Sequence, residues 1–121
     1  MASRFRKGAA LAAFFIFMGF ILCPTALAAE QGTVFVVPLT GDIDSVLPAS
    51  IKLAFADAAR ARAELIILEI DTFGGLVDSS DRIKTEIYAS SIPVYAYVKK
   101  AISGGTYVAL ACDRIYMHPG A

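Results

Sequence analysis

The chain has 121 residues, no formal net charge and 57% apolar residues, which points to one domain whose apolar content is inflated locally. Its basic residues form no cluster with interleaved aromatics, so nothing supports nucleic-acid binding. His118 is the single histidine and the carboxylates are scattered, so no metal-ligand spacing appears and no motif calls for a cofactor.

The inflation sits at the N-terminus. Arg4, Arg6 and Lys7 precede the uninterrupted apolar run GAALAAFFIFMGFILC, and PTALAAE follows with small residues at Ala26 and Ala28. Basic, apolar and small-residue regions in that order predict a secretory signal peptide over residues 1–28, cleaved after Ala28. The short apolar run and the cleavage-like site disfavour the alternative, an uncleaved anchor. The residues before Cys23 are not small, which argues against a lipid-anchored cysteine. Residues 29–121 then hold eight basic against eleven acidic residues, a mildly acidic balance. Cys112 remains as their only cysteine, so no internal disulfide can form, and its setting VALACDRI predicts a buried, inert thiol.

Beyond the leader, TVFVVPL (33–39) is β-branched and apolar and predicts a strand buried on both faces. TGDIDS reads as a turn, and Pro48 suits the first turn of a helix running to about Ala63. Ile51, Ala54, Phe55, Ala58 and Ala59 recur along it at helical spacing. LIILEI (65–70) predicts a second buried strand, DTFGG a loop, and residues 76–89 a second helix. In that helix Asp78 and Asp81 favour the early turns, and Ile83 and Ile87 share one face. PVYAYV (93–98), residues 104–112 and RIYM (114–117) predict a third strand, a short helix and a fourth strand. Alternating strands and helices with short connections imply crossover units and a parallel α/β sheet. The fourth strand ends in HPGA with no helix to cover it, and residues 29–121 are near the lower size for a comfortable core. They are therefore expected to be the N-terminal part of a larger domain.

In an open parallel sheet, sites gather beyond the carboxyl ends of the strands. Two loops leave such ends: DTFGG after the second strand and KKAISGG after the third. Acyl transfer needs a nucleophile and backbone N–H donors aimed at a developing oxyanion. Ser103, at a helix N-terminus, lies beside free N–H groups and the positive end of the helix dipole. The Gly104 N–H is a natural donor, and Gly75 is placed to supply a second. Composition alone favours a plainer alternative, in which Ser103 is an ordinary helix N-cap ahead of a flexible turn. AISGG also lacks the first glycine of the G-x-S-x-G elbow, so an α/β-hydrolase is not indicated.

Taken together, VVPLTGDID, LIILEIDTFGG and PVYAYVKKAISGGTYVALACDRIYMHPG resemble the NfeD-type membrane-bound serine proteases of the ClpP class, in order and spacing over nearly all of residues 29–121. The resemblance implies a ClpP/crotonase-like spiral of ββα units, incomplete at the C-terminus. It implies that Ser103 is the nucleophile of the family's A-x-S-x-G-like loop and that Gly104 is the oxyanion donor after it. Gly75 matches the second donor, from the family's D-T-P-G-G loop, and Gly74 beside it is expected to contact substrate. The implied activity is peptide hydrolysis through an acyl-enzyme on Ser103, at the extracytoplasmic face of a membrane. The implied partners are further copies of the chain and a stomatin-like membrane protein as substrate.

Two departures stand out. Phe73 occupies a position where the family usually has proline, which changes the loop or the substrate groove without removing a donor. The family's base is a lysine well downstream of the nucleophile, and the chain ends at Ala121 before any matching position, so inactivity is expected of residues 29–121 alone. Lys99 and Lys100 read as solvated residues at a strand end, His118 sits where the family has no catalytic histidine, and Asp71 reads as the cap of the TFGG turn. Two other classes remain: a non-catalytic assembly or binding module with the same fold, and a crotonase-like acyl-CoA enzyme. The export signal and the serine at the nucleophile position disfavour the latter. If the leader reading is right, N-terminal sequencing of extracytoplasmic material begins near Ala29. Recovery of the intact chain from the soluble cytoplasmic fraction would refute it.

Overall fold

The structure, a computed structural model, describes residues 32–121; the predicted signal peptide lies outside the described residues. Four strands and three helices alternate: β1 (Val34–Ile43), α1 (Leu47–Arg60), β2 (Leu65–Gly75), α2 (Val77–Ala89), β3 (Val94–Ala101), α3 (Gly104–Ala111) and β4 (Arg114–Met117). The sheet is parallel throughout, in the order β1-β2-β3-β4. The α/β parallel architecture is as the sequence implies.

Local chemistry explains the helix ends. The Asp44 carboxylate accepts the Val46 and Leu47 N–H groups, each at 2.9 Å, and Pro48 follows in the first turn of α1. Arg62, at φ 54, takes the chain out of α1 before Ala63. Ile51, Phe55 and Ala58 of α1, Ile83 and Ile87 of α2, and Val108 and Ala109 of α3 are buried together. They cover Val37, Leu39, Ile66, Leu68, Ile70, Val94, Ala96 and Val98, which are every second residue along their strands.

That alternation corrects the expectation of strands buried on both faces. Val36 is 55% exposed and Tyr116 51%, while Ile67, Tyr95 and Tyr97 on the same face are half-buried. Among the described residues all three helices pack on one side, so apolar residues on the other side have only their strand neighbours. Tyr95 and Tyr116 lie 5.9 Å apart between ring centroids there, and the Arg114 guanidinium sits 5.6 Å from the Tyr95 ring. The run VFVVPL is continuous in hydrophobicity but not in burial.

A second correction concerns the strand ends. TGDI and DTFGG, read as turn and loop, are strand. Register shifts between Thr40 and Asp42 and between Ile70 and Asp71 bend the ladder, which then resumes with Asp42 opposite Gly74 and Ile43 opposite Gly75. A Cβ on Gly75 would lie 2.4 Å from the Ile43 carbonyl oxygen, so only glycine allows this pairing.

The sheet is asymmetric in protection as well as in burial. Among the described residues, all four residues of β4 are exposed and it pairs with β3 alone, whereas β2 pairs on both sides. Amides of 114–117 should therefore exchange with solvent on the order of 100-fold faster than those of 66–70. Equal protection in a hydrogen-exchange experiment would contradict the open edge.

Candidate active site

β3 ends at Ala101 and α3 begins at Gly104, so Ile102 and Ser103 must redirect the chain. The Gly105 N–H donates to the Ile102 carbonyl at 2.9 Å and closes a β-turn around Ser103 and Gly104. Ser103 has φ 51 and ψ −116, the first central position of a type II′ turn, where glycine is usual. A side chain held there stores on the order of 1–3 kcal/mol of backbone strain.

This geometry corrects the plainer alternative for Ser103. A capping serine has extended backbone and accepts an N–H from the first turn of its helix. Ser103 has neither property: its φ is positive and its side chain makes no capping hydrogen bond. Its hydroxyl is exposed instead. The Gly104 N–H follows immediately and is the first amide of α3 not taken by a carbonyl of the turn.

The end of β2 presses against this turn. Gly74 has φ +104, and a Cβ on it would lie 2.8 Å from the Ile102 carbonyl, 2.9 Å from the Ser103 Cβ and 3.0 Å from the Gly104 nitrogen. The Gly75 nitrogen lies 3.6 Å from where a Cβ on Gly104 would sit, and Ser80 Oγ only 2.5 Å from it. Ser103, Gly104, Gly74 and Gly75 are therefore brought together from the end of β2 and the β3–α3 turn, with Gly75 and Ser103 28 residues apart in sequence.

Sequence reasoning missed the residue that braces them. Thr72 is buried; its hydroxyl donates to the Gly41 carbonyl and accepts the Gly74 N–H at 2.9 Å. It thereby ties the bent ends of β1 and β2 and caps the turn, the role expected of Asp71. The Asp71 carboxylate instead faces Lys100 at 3.5 Å. A threonine two residues before a glycine, after a buried strand, was the available signal.

Beside Ser103 opens a pocket of about 360 Å³ lined by Val77, Ser80, Ser103, Gly104 and Tyr107. Among the described residues, no lysine, histidine or carboxylate lines it. Lys99 donates to Glu69 at 2.6 Å, a bond that raises the lysine's pKa and holds it charged. The Lys100 ammonium sits 4.3 Å from the centroid of the Phe73 ring. His118 packs edge-on to Tyr97 with centroids 6.2 Å apart, and its Nδ1 accepts the Gly120 N–H at 3.1 Å. Burial pushes the Cys112 thiol up to about 12, in keeping with an inert cysteine.

The fold is that of the ClpP-like protease domains. It matches ClpP1 from Listeria monocytogenes with a TM-score of 0.61 at 22% identity, over 64% of this chain and 46% of that one. The model of the NfeD1b N-terminal domain matches residues 33–121, and the chain belongs to that family. It is 45% identical over 93 residues to the membrane protein NfeD1b of Bacillus subtilis (76% of this chain, 21% of the relative). It is 38% identical over 94 residues to the membrane-bound protease PH1510 of Pyrococcus horikoshii (74% and 21%). A solved structure of the 1510-N membrane-bound stomatin-specific protease, in complex with a substrate peptide, matches with a TM-score of 0.70 at 36% identity over 75% of this chain and 43% of that one. The chain thus spans about a fifth of its curated relatives and under half of the solved protease domain.

The turn makes a prediction that does not depend on catalysis. Replacing Ser103 by glycine removes the strain at φ 51 while adding some unfolded-state entropy, for a net gain of about 1 kcal/mol. Replacing it by alanine keeps the strain. Thermal melting should therefore place Ser103→Gly several degrees above Ser103→Ala. Equal midpoints would show that the turn is relaxed.

Proposed function

We propose that the chain contributes the nucleophile and the oxyanion donors of a membrane-associated serine endopeptidase. The observation that carries this reading is the exposed Ser103 hydroxyl, uncapped on a strained turn at the start of α3 with Gly74 packed against it. In the proposed reaction, Ser103 Oγ attacks the carbonyl carbon of a peptide bond and its proton passes to a base. The tetrahedral oxyanion is held by the Gly104 and Gly75 N–H groups. The base then protonates the departing amine, and water hydrolyses the ester left on Ser103.

The base is proposed to be a lysine outside residues 32–121, as in a Ser-Lys dyad. Such a lysine must have its pKa depressed by burial or neighbouring cations to accept the proton at neutral pH. The lining of the Ser103 pocket offers no candidate, so residues 29–121 alone should turn over little substrate. Gly74 is proposed to lie along the substrate backbone. The substrate is proposed to be a stomatin-like membrane protein, by similarity to the relative named as stomatin-specific, met at the extracytoplasmic face by an oligomer of the chain.

The experiment compares three proteins with a fluorophosphonate probe and a peptide substrate: residues 29–121, a version extended to the length of the solved protease domain, and the extended version carrying Ser103→Ala. Labelling and cleavage are expected only in the extended wild type, with Ser103→Ala at least about 1,000-fold slower. Equal rates from the alanine variant would remove Ser103 from the reaction. An extended wild type with no activity would favour a non-catalytic binding module.

A further inference from the structure

We propose that Thr72 is the spacer between the two oxyanion donors: its hydroxyl places the Gly75 N–H and its methyl places the Gly104 N–H. This rests on the peptidase reading of Ser103. Thr72 is buried and does not line the pocket beside Ser103, so it is a positioning residue that acts through the backbone it holds.

The hydroxyl branch acts on β2. Thr72 Oγ1 accepts the Gly74 N–H at 2.9 Å. Its one proton is shared between the Gly41 carbonyl, the nearer acceptor, and the Gly74 carbonyl at 3.4 Å. The Gly74 carbonyl and the Gly75 N–H belong to one planar peptide unit, and in a trans peptide they point in opposite directions. A carbonyl held toward Thr72 therefore aims the Gly75 N–H away from it, on the side where the Gly75 nitrogen approaches Gly104. On the far flank the Leu76 N–H donates to the Ile43 carbonyl at 2.8 Å, so this peptide plane is fastened from both directions.

The methyl branch acts on the nucleophile turn. Thr72 Cγ2 lies 2.5 Å from where a Cβ on Gly105 would sit, so the first turn of α3 rests on this methyl. The Thr72 carbonyl accepts the Ile102 N–H at 3.2 Å, which ties down the other end of the turn. The Gly104 N–H lies between these two contacts. Threonine carries a hydroxyl and a methyl on one Cβ, and that branching restricts χ1. One stiff side chain thus sets the separation of the two amides. Valine keeps only the methyl contact and serine only the hydroxyl contacts.

The two branches are removed separately in the protein extended to the length of the solved protease domain, and peptide cleavage and amide chemical shifts are measured. In Thr72→Val, kcat should fall about 10- to 100-fold with KM within about twofold of wild type, because the donors serve the tetrahedral state more than the bound substrate. In Thr72→Ser, kcat should fall about threefold to tenfold, again at constant KM. The valine variant should displace the Gly74 and Gly75 amide resonances, and the serine variant those of Gly104 and Gly105. Assays held well below each melting midpoint keep loss of folded protein out of the rates. A Thr72→Val protein with kcat within about twofold of wild type would overturn the proposal, as would a rate loss carried by KM. The same amide displacements in both variants would also overturn it. If the extended wild type shows no Ser103-dependent cleavage, the peptidase reading fails instead. The amide shifts then decide the spacer role alone: branch-specific displacements uphold it and common ones refute it.

Discussion

The contact between Gly74 and the Ile102–Ser103–Gly104 backbone constrains everything around it. The end of β2 approaches the β3–α3 turn to a distance that no Cβ would permit, and Gly75 does the same against Ile43 of β1. Three strand ends are therefore locked backbone to backbone, with Thr72 bonding across them. Such a cluster over-determines the turn between β3 and α3, which is the condition for holding Ser103 at φ 51. Loosening the glycine contact would let Ser103 relax toward an ordinary cap and turn its hydroxyl to the helix.

The strain is held by ordinary means. β2 runs through the middle of the sheet with Ile66, Leu68, Ile70 and Thr72 buried in succession, and α3 sits over it through Val108 and Ala109. Gly105 lets α3 settle onto Thr72, since a Cβ there would meet the threonine methyl at 2.5 Å. The core that orders the turn is thus the part of the sheet with helices on it. The opposite face, with Tyr95, Tyr97 and Tyr116, takes no part in placing Ser103.

Most of the element order was legible from the chain, because periodicity and punctuation agree: Pro48 opens α1, Ile83 and Ile87 mark α2, and PVYAYV marks β3. The misreadings share one cause. Hydrophobic runs report composition, whereas burial depends on which side the helices take, so VFVVPL suggested two covered faces where one is covered. Glycine was read as loop at Gly41, Gly74 and Gly75, but here it permits strand to continue where bulk would stop it. At the site, SGG before a helix carried both a cap reading and a nucleophile reading. Only the φ and ψ of Ser103 and the absence of a capping bond separate them, and neither is encoded in a three-residue string. The Thr72–Gly74 half of the brace had a local signal, whereas its bond to the Gly41 carbonyl, 31 residues away, had none.

Proton chemistry sets the last condition on the site. The lysines whose amines are perturbed among the described residues are shifted the wrong way for a base. Glu69 raises Lys99 and Asp81 raises Lys84, each by a direct hydrogen bond to the ammonium. A proton acceptor for Ser103 needs the reverse, an amine short of anionic partners and withdrawn from water. Among the described residues no carboxylate lines the pocket beside Ser103. In the proposed reaction the described residues supply the hydroxyl and the amide donors. The proposed base is identified by an environment free of acidic neighbours rather than by its distance from Ser103 in sequence.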